Sequence, residues 1–420
     1  MDKIVTKMLK VVHLHINLSF AYRLHNEFLK VGIDSSIISL QLDEQETDRI
    51  KKAGKRANLT AWFESKIQSY LKRNNIKKFG VFTFPILGNN VAKMDKIKSA
   101  DIIYLHWILG GFMNLKNIEQ LAKLGKPIIF YMHDMWFMTG GCHYSFECEK
   151  YKSHCYDCQV FPYHKKKDLS YKEFEKKKRL YSKYSNFYFI SPSKWLYDCA
   201  RHSSLLKNKP IFHVPNVIDK TLFKPFEKNI AKQILNIDNS ERVIAFGAVS
   251  VKSPYKGWEY LQKALEILQH EQSIYNITIL IFGSGYSKEI ADAIPFKTKF
   301  LGHLKDEYSS VLVYNAIDVF IAPSLADNLP YTVYESLSCN TPVVAFNTGG
   351  IPEMIIHKEN GYLAQYKNPE DIAQGIKFCL QHKIKGYTLP DFETSAIIKK
   401  HLEIFEYIKN RKTENYGINE

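Results

Sequence analysis

Along this chain short apolar runs alternate with amphipathic stretches. The runs at 10–15 (KVVHLH), 36–40 (SIISL), 102–106 (IIYLH), 127–132 (PIIFYM), 186–190 (NFYFI) and 211–214 predict strands, with helical spacing over 22–30 and 115–124 between them. Continuous apolar strands separated by helices point to a mostly parallel sheet covered on both faces. At 215–225 (PNVIDKTLFKP) two prolines, an asparagine and an aspartate read as a linker. The rhythm then restarts, with strands expected at 243–246 (VIAF), 277–282 (ITILIF), 318–322 (DVFIA) and 342–346 (PVVAF) and a helix over 258–270. A last helix, over about 394–412, follows Pro390 and is expected to cross back to the first half. The pattern predicts two doubly wound α/β domains, 1–217 and 218–390, then a helix and tail over 391–420. Two such domains leave a cleft, and ligands of these sheets bind outside the carboxyl ends of the strands.

Composition adds a charge argument. The chain has 420 residues, is 45% hydrophobic and 24% charged, and carries a net charge of +15. That balance favours anionic partners: nucleotide phosphates, nucleic acid or an anionic membrane surface. Lysine runs at 165–167 and 176–178, the second followed by Arg179, read as solvated helix faces or as contacts to anionic headgroups. No stretch reaches the roughly 18 to 20 apolar residues that span a bilayer. The basic, then apolar, N-terminus reads as a first strand and not as a signal peptide. These features predict a cytoplasmic protein with reduced cysteines.

The densest chemistry lies at 323–350, PSLADNLPYTVYESLSCNTPVVAFNTGG. A strand ends, a polar loop follows, and a helix starts near Thr332. Free N–H groups at a helix N-terminus suit a diphosphate. Glu335, one turn into the helix, is placed to accept hydrogen bonds from ribose hydroxyls. Asp327 lies on the loop with Asn328 and Leu329, and Gly349-Gly350 lets the backbone approach a ligand closely. Each piece alone also fits a capped helix start and a glycine turn.

This window resembles the donor-site signature of glycosyltransferase family 4, a retaining family with the GT-B fold of two Rossmann-like domains. Pro323, Ser324, Asp327, Glu335, Cys339, Thr341, Pro342, Val343, Val344, Gly349 and Gly350 match it. Asp327 stands where glutamate is commoner, and Asn340 where glycine is usual. The resemblance implies that Glu335 binds the donor ribose and that Asp327, beside the donor sugar, is catalytic. It implies a phosphate-binding role for Lys256, with Lys252 as a second cation, and a donor-side Gly-x-Gly turn at Gly283. His133, in a His-Asp segment after the strand 127–132, would contact the donor sugar and stabilise developing charge without acting as a base. His106 and Trp107 would line the acceptor side; core or cleft-wall packing accounts for them equally well. The first strand runs into its helix without the usual Gly-Gly loop, which shortens that loop.

Cys142, Cys148, Cys155 and Cys158 fall within seventeen residues. Structural zinc, free thiols and disulfides are the readings of such a cluster in a cytoplasmic chain. The surrounding segment resembles a subgroup of family 4 enzymes of bacterial surface-polysaccharide pathways. No Asp-x-Asp occurs in the chain, so diphosphate binding without a metal is expected, and no cofactor is required for catalysis. The expected function is transfer of a sugar, with retention, from a nucleoside-diphosphate sugar to a hydroxyl of a glycan or lipid-linked oligosaccharide. The location would be the cytoplasm, or peripherally the inner face of the cytoplasmic membrane. The alternative is a non-catalytic scaffold or nucleotide-binding protein in a polysaccharide-assembly complex. A nucleic-acid partner is not expected, because no recognised nucleic-acid module is present.

Overall fold

The computed structural model describes residues 8–17, 19–42, 45–54, 56–72, 82–161, 165–250, 253–270, 275–285 and 288–416. The chain divides into two compact units, residues 1–217 with 395–420, and residues 218–394.

Unit 1 is built on seven strands: β1 (Lys10–His15), β2 (Asp34–Ser39), β3 (Ile50–Lys52), β4 (Ile102–Leu105), β5 (Ile128–Tyr131), β6 (Phe187–Ser191) and β7 (Ile211–His213). They lie in the order β3-β2-β1-β4-β5-β6-β7, and every pair is parallel. The four residues of β4 and of β5 are all buried, as expected of central strands covered on both faces. The terminal helix Thr394–Tyr416 returns to this unit. Its Ile397, Ile398, Ile404, Phe405 and Ile408 share a core with Phe28, Tyr104 and Tyr131. Residues 401, 404, 405 and 408 fall on one helical stripe, so His401 enters the same core; the Tyr104 hydroxyl and His401 Nδ1 lie 3.0 Å apart.

Unit 2 has six strands: β8 (Arg242–Ser250), β9 (Ile277–Ser284), β10 (Lys297–Gly302), β11 (Val319–Ala322), β12 (Val343–Phe346) and β13 (Gly361–Ala364). Their order is β10-β9-β8-β11-β12-β13, again all parallel. Two apolar cores cover its faces, one centred on Leu261, Leu265 and Ile376, the other on Tyr314, Val333 and Leu337.

The strand order of each sheet reverses at one point, between β1 and β4 in unit 1 and between β8 and β11 in unit 2. At such a point the neighbouring connections leave in opposite directions and open a crevice at the carboxyl ends of the strands.

Candidate functional site

In unit 2 the loops that follow β8 and β11 meet at this crevice. The turn Pro254–Lys256 ends in Gly257, whose φ of +69° is strained for other residues. A Cβ at Gly257 would overlap the Pro323 carbonyl oxygen, so the lack of a side chain permits the close packing of the two loops. The Leu325 N–H donates to the Tyr255 carbonyl at 2.7 Å and fixes their register. The result is an ion pair: Lys256 Nζ donates to Asp327 Oδ2 at 2.6 Å, and the Ser324 hydroxyl lies 3.3 Å from the same oxygen. Burial pulls the Lys256 ammonium down, but the Asp327 carboxylate and its hydrogen bond outweigh this and hold the lysine pKa above its ordinary value. The turn after β12 closes the arrangement. Gly349 has φ +58°, and a Cβ there would overlap the Asp327 carbonyl oxygen. That same oxygen accepts from the Gly350 N–H at 3.3 Å. Lys256, Asp327, Gly349 and Gly350, distant in sequence, therefore share one edge of the sheet.

The helix Tyr331–Ser338 begins beside them at Pro330, which supplies no side-chain cap. Glu335 lies in this helix, buried to 8% exposure, and accepts from the Tyr314 hydroxyl at 3.1 Å. Its carboxylate is more enclosed than the ribose reading anticipates. Asn328 is buried on the loop, while the Leu329 side chain belongs to the unit 2 core; any ligand contact of Leu329 is through its backbone. Gly283 is not in a turn. It is the next-to-last residue of β9 at φ +119°, where a Cβ would overlap the Ala248 carbonyl oxygen. Lys252 lies outside the described residues. Asn340, found where the resemblance expects glycine, has φ +64°; asparagine tolerates this left-handed conformation better than most residues.

In unit 1 the crevice side is a set of histidines. His13 and His15, two residues apart on β1, point to one face. His106 follows β4 and His133 follows β5, so three neighbouring strands bring imidazoles together. His13 Nδ1 lies 3.0 Å from His106 Nε2, and His106 Nδ1 lies 3.3 Å from His133 Nε2. His106 stacks between Tyr131 and Tyr104 and is fully enclosed. Its enclosure accords with core packing, one of the two readings the sequence left open for it. Burial holds all three rings neutral: His133 is pulled down to about 4, and His13 and His106 fall well below the usual histidine range. His13 and His15 are the residues that sequence reading passed over. Their signal was present, since three apolar runs each end in, or just before, histidine.

Asp134 is the hub of the following loop. Its Oδ2 accepts from Trp107 Nε1 at 3.0 Å and faces His143 Nδ1 at 2.6 Å; its Oδ1 accepts from the Trp136 N–H at 2.8 Å. Burial opposes ionisation of Asp134, but His143 and these donors hold its pKa below the usual carboxylate range. Trp107 is thus partly turned to a structural task. Lys177, read in sequence as part of a solvated basic run, is fully buried. It donates to the Trp136 and Thr139 carbonyls and lies over the Trp136 ring at 3.5 Å.

All four clustered cysteines are free thiols in this structure. Among the described residues no three of His, Cys, Asp or Glu are placed to hold a metal ion. Burial raises the thiols of Cys142, Cys155 (up to about 12) and Cys158. Cys142 and Cys158 pack against Phe82, Phe84 and Val160, and Cys155 Sγ accepts from the Gly140 N–H at 3.2 Å.

Comparison with known proteins bears on this architecture. Residues 240–382, which hold Lys256, Asp327 and Glu335, match the family model described as Glycosyl transferases group 1. An uncharacterized glycosyltransferase of Haemophilus influenzae is 29% identical over 135 residues, 30% of this chain and 37% of the relative, so the chain covers little more than a third of that protein's length. The putative colanic acid biosynthesis glycosyl transferase WcaC of Escherichia coli K12 is 23% identical over 331 residues, 76% of this chain and 78% of WcaC. The Anabaena protein HepE, solved in complex with UDP and glucose, superposes with a TM-score of 0.60 at 16% identity, covering 96% of this chain and 100% of HepE. The chain therefore has the GT-B fold and, over residues 240–382, is similar to the glycosyl transferases of group 1.

Proposed function

We propose that this chain is a retaining glycosyltransferase of family 4 that uses a nucleoside-diphosphate sugar. Its acceptor would be a hydroxyl of a glycan or lipid-linked oligosaccharide in bacterial surface-polysaccharide synthesis. The observation that carries this is the Lys256–Asp327 pair, held by glycine-dependent loop packing at the switch point of unit 2, beside a helix N-terminus. In this reading the bond from the sugar's anomeric carbon to the diphosphate breaks. Lys256 and main-chain N–H groups take up the charge that develops on the leaving group. A bond from the acceptor oxygen forms on the same face, and the acceptor's proton passes to the departing phosphate. Asp327 faces the sugar and Glu335 the ribose, while His133 offers a neutral ring. HepE's complex with UDP supports the donor class.

Calorimetric titration with UDP, GDP and ADP tests the donor site. One nucleotide is expected to bind, and Glu335→Ala to weaken it about tenfold, the scale of a lost charged hydrogen bond. Absence of binding to all three by folded protein would favour the scaffold reading, to which the enclosed Glu335–Tyr314 pair lends itself.

The same reading places the enzyme at an anionic membrane surface. Among the described residues no helix is long and apolar enough to cross a membrane. The helix Ala57–Lys72 has an inverted distribution of side chains. Its carboxylate Glu64 is 0% exposed and accepts from Gln68 Nε2 and from the N–H groups of Ile86 and Leu87. Leu59, Trp62, Phe63 and Tyr70 face outward, Tyr70 at 78% exposure, with Lys66 over the Trp62 ring. Aromatic rings interleaved with lysine suit a headgroup layer. Sedimentation with phosphatidylglycerol vesicles should retain the protein, and Trp62→Ser with Phe63→Ser should weaken retention about tenfold. Equal retention of the double variant would remove this part of the reading.

A further inference from the structure

We infer that His13, His106 and His133 form a tautomer relay, in which two buried rings decide which nitrogen of His133 carries its hydrogen. The relay rests on its own geometry; only its consequence for catalysis rests on the function proposed above. A neutral imidazole has one N–H donor and one bare acceptor. The two contacts, His13 Nδ1 to His106 Nε2 and His106 Nδ1 to His133 Nε2, are therefore coupled. If His13 donates from Nδ1, His106 must accept at Nε2. Its hydrogen is then on Nδ1, it donates to His133 Nε2, and His133 carries its own hydrogen on Nδ1. If His133 donates from Nε2, the pattern reverses and all three hydrogens lie on Nε2. A mixed chain sets two hydrogens or two lone pairs against each other at one of the contacts. The relay has only two satisfied states.

The interior end selects between them. His13 Nε2 is buried and has no hydrogen-bond partner among the described residues. A buried N–H without an acceptor is the less tolerated defect, so this nitrogen stays bare and the hydrogen resides on Nδ1. The choice then propagates through His106 to His133, the one partly exposed member. His133 is thereby set as the Nδ1–H tautomer. With its Nε2 engaged by His106, it is poorly suited to act as a general base. Burial keeps the three rings neutral. His15 provides an internal contrast. The Asn17 N–H donates to its Nδ1 at 3.0 Å, so its hydrogen lies on Nε2.

Long-range proton–nitrogen NMR spectra of the full-length chain, labelled with 15N-histidine and held at pH 7.5, read each ring directly. Single His→Phe variants assign the signals. The expected result is protonated Nδ1 on His13, His106 and His133 and protonated Nε2 on His15. In His13→Phe, whose new ring would lie against Phe28 and Tyr104 as the imidazole does, His133 is expected to change from a single tautomer to a mixture. It lies one ring away from the substitution, so simple loss of packing at residue 13 would not move its tautomer. Any other distribution over the three rings in the wild-type chain, or a folded His13→Phe chain with His133 unchanged, overturns the relay. If His13→Phe does not fold, the wild-type spectrum decides. Loss of the glycosyltransferase reading would leave these spectra as they are, and failure of the relay would leave sugar transfer intact.

Discussion

Asp327→Ala is expected to lower sugar transfer by about a thousandfold, the scale seen when a preorganised polar group is removed from a reaction centre. Nucleotide affinity should stay within about threefold of the original or improve. The reason for the split lies in the pair itself. Asp327 Oδ2 holds Lys256 Nζ at 2.6 Å, so a diphosphate must compete with that carboxylate for the lysine. Removing the carboxylate removes the competitor while leaving the cation. Lys256→Ala should do the opposite to binding, weakening the nucleotide about tenfold or more through loss of a charge-assisted hydrogen bond. Asp327→Asn controls for folding, since it keeps the side-chain shape beside Ser324. Steady-state transfer assays and calorimetry on the three variants read both quantities. Normal turnover in Asp327→Ala would sink its assigned role, and parallel weakening of nucleotide binding in all three would reduce the pair to a structural one.

Much of this arrangement was legible in the chain. The apolar runs that became β4, β5, β11 and β12 are buried on both faces and leave a continuous hydrophobic signal. The strands missed were β3 (IKK), β10 (KTKFLG) and β13 (GYLA). They are short or lysine-bearing and form the outermost strands of their sheets, where pairing and not apolar content makes the strand. Lys177 was hidden by its neighbours, although it stands three residues after Phe174 and four before Tyr181, both buried on the same helical face. Three runs ending in or near histidine were visible too, but spacing along the chain does not say which strands are adjacent. Only the order β1-β4-β5 brings those rings into one row. The cysteine cluster was visible in the spacing too, but spacing does not show that Cys142 and Cys158 pack against Phe82, Phe84 and Val160.

Unit 1 should be selectively labile to mild acid. Burial holds His15 and His401 at about 3 and His25 and His133 at about 4, with His13 and His106 also well below the ordinary value near 6.5. A histidine whose folded pKa is depressed binds its proton more readily in the unfolded chain. Its contribution to stability is therefore complete above about pH 6.5 and declines as pH falls from there toward the folded value. Each such group loses about 1.4 kcal/mol per pH unit in that window. Several acting together at pH 5.5 remove roughly 4 to 8 kcal/mol, comparable with the whole stability of an ordinary domain. Unit 1 should thus open between pH 6.5 and 5 instead of titrating in place. The shifted groups of unit 2 are lysines, carboxylates, tyrosines and cysteines, none of which titrates in this range. Four of the five tryptophans, at 62, 107, 136 and 195, belong to unit 1. Urea unfolding followed by tryptophan fluorescence should show a sharply lower midpoint at pH 5.5 than at 7.5. Hydrogen exchange resolved by peptide should localise the loss of protection to residues 8–217 and 395–416. Equal midpoints at the two pH values would mean that the imidazoles are reached by water or paired when charged, and would undercut the neutral state on which the histidine relay depends.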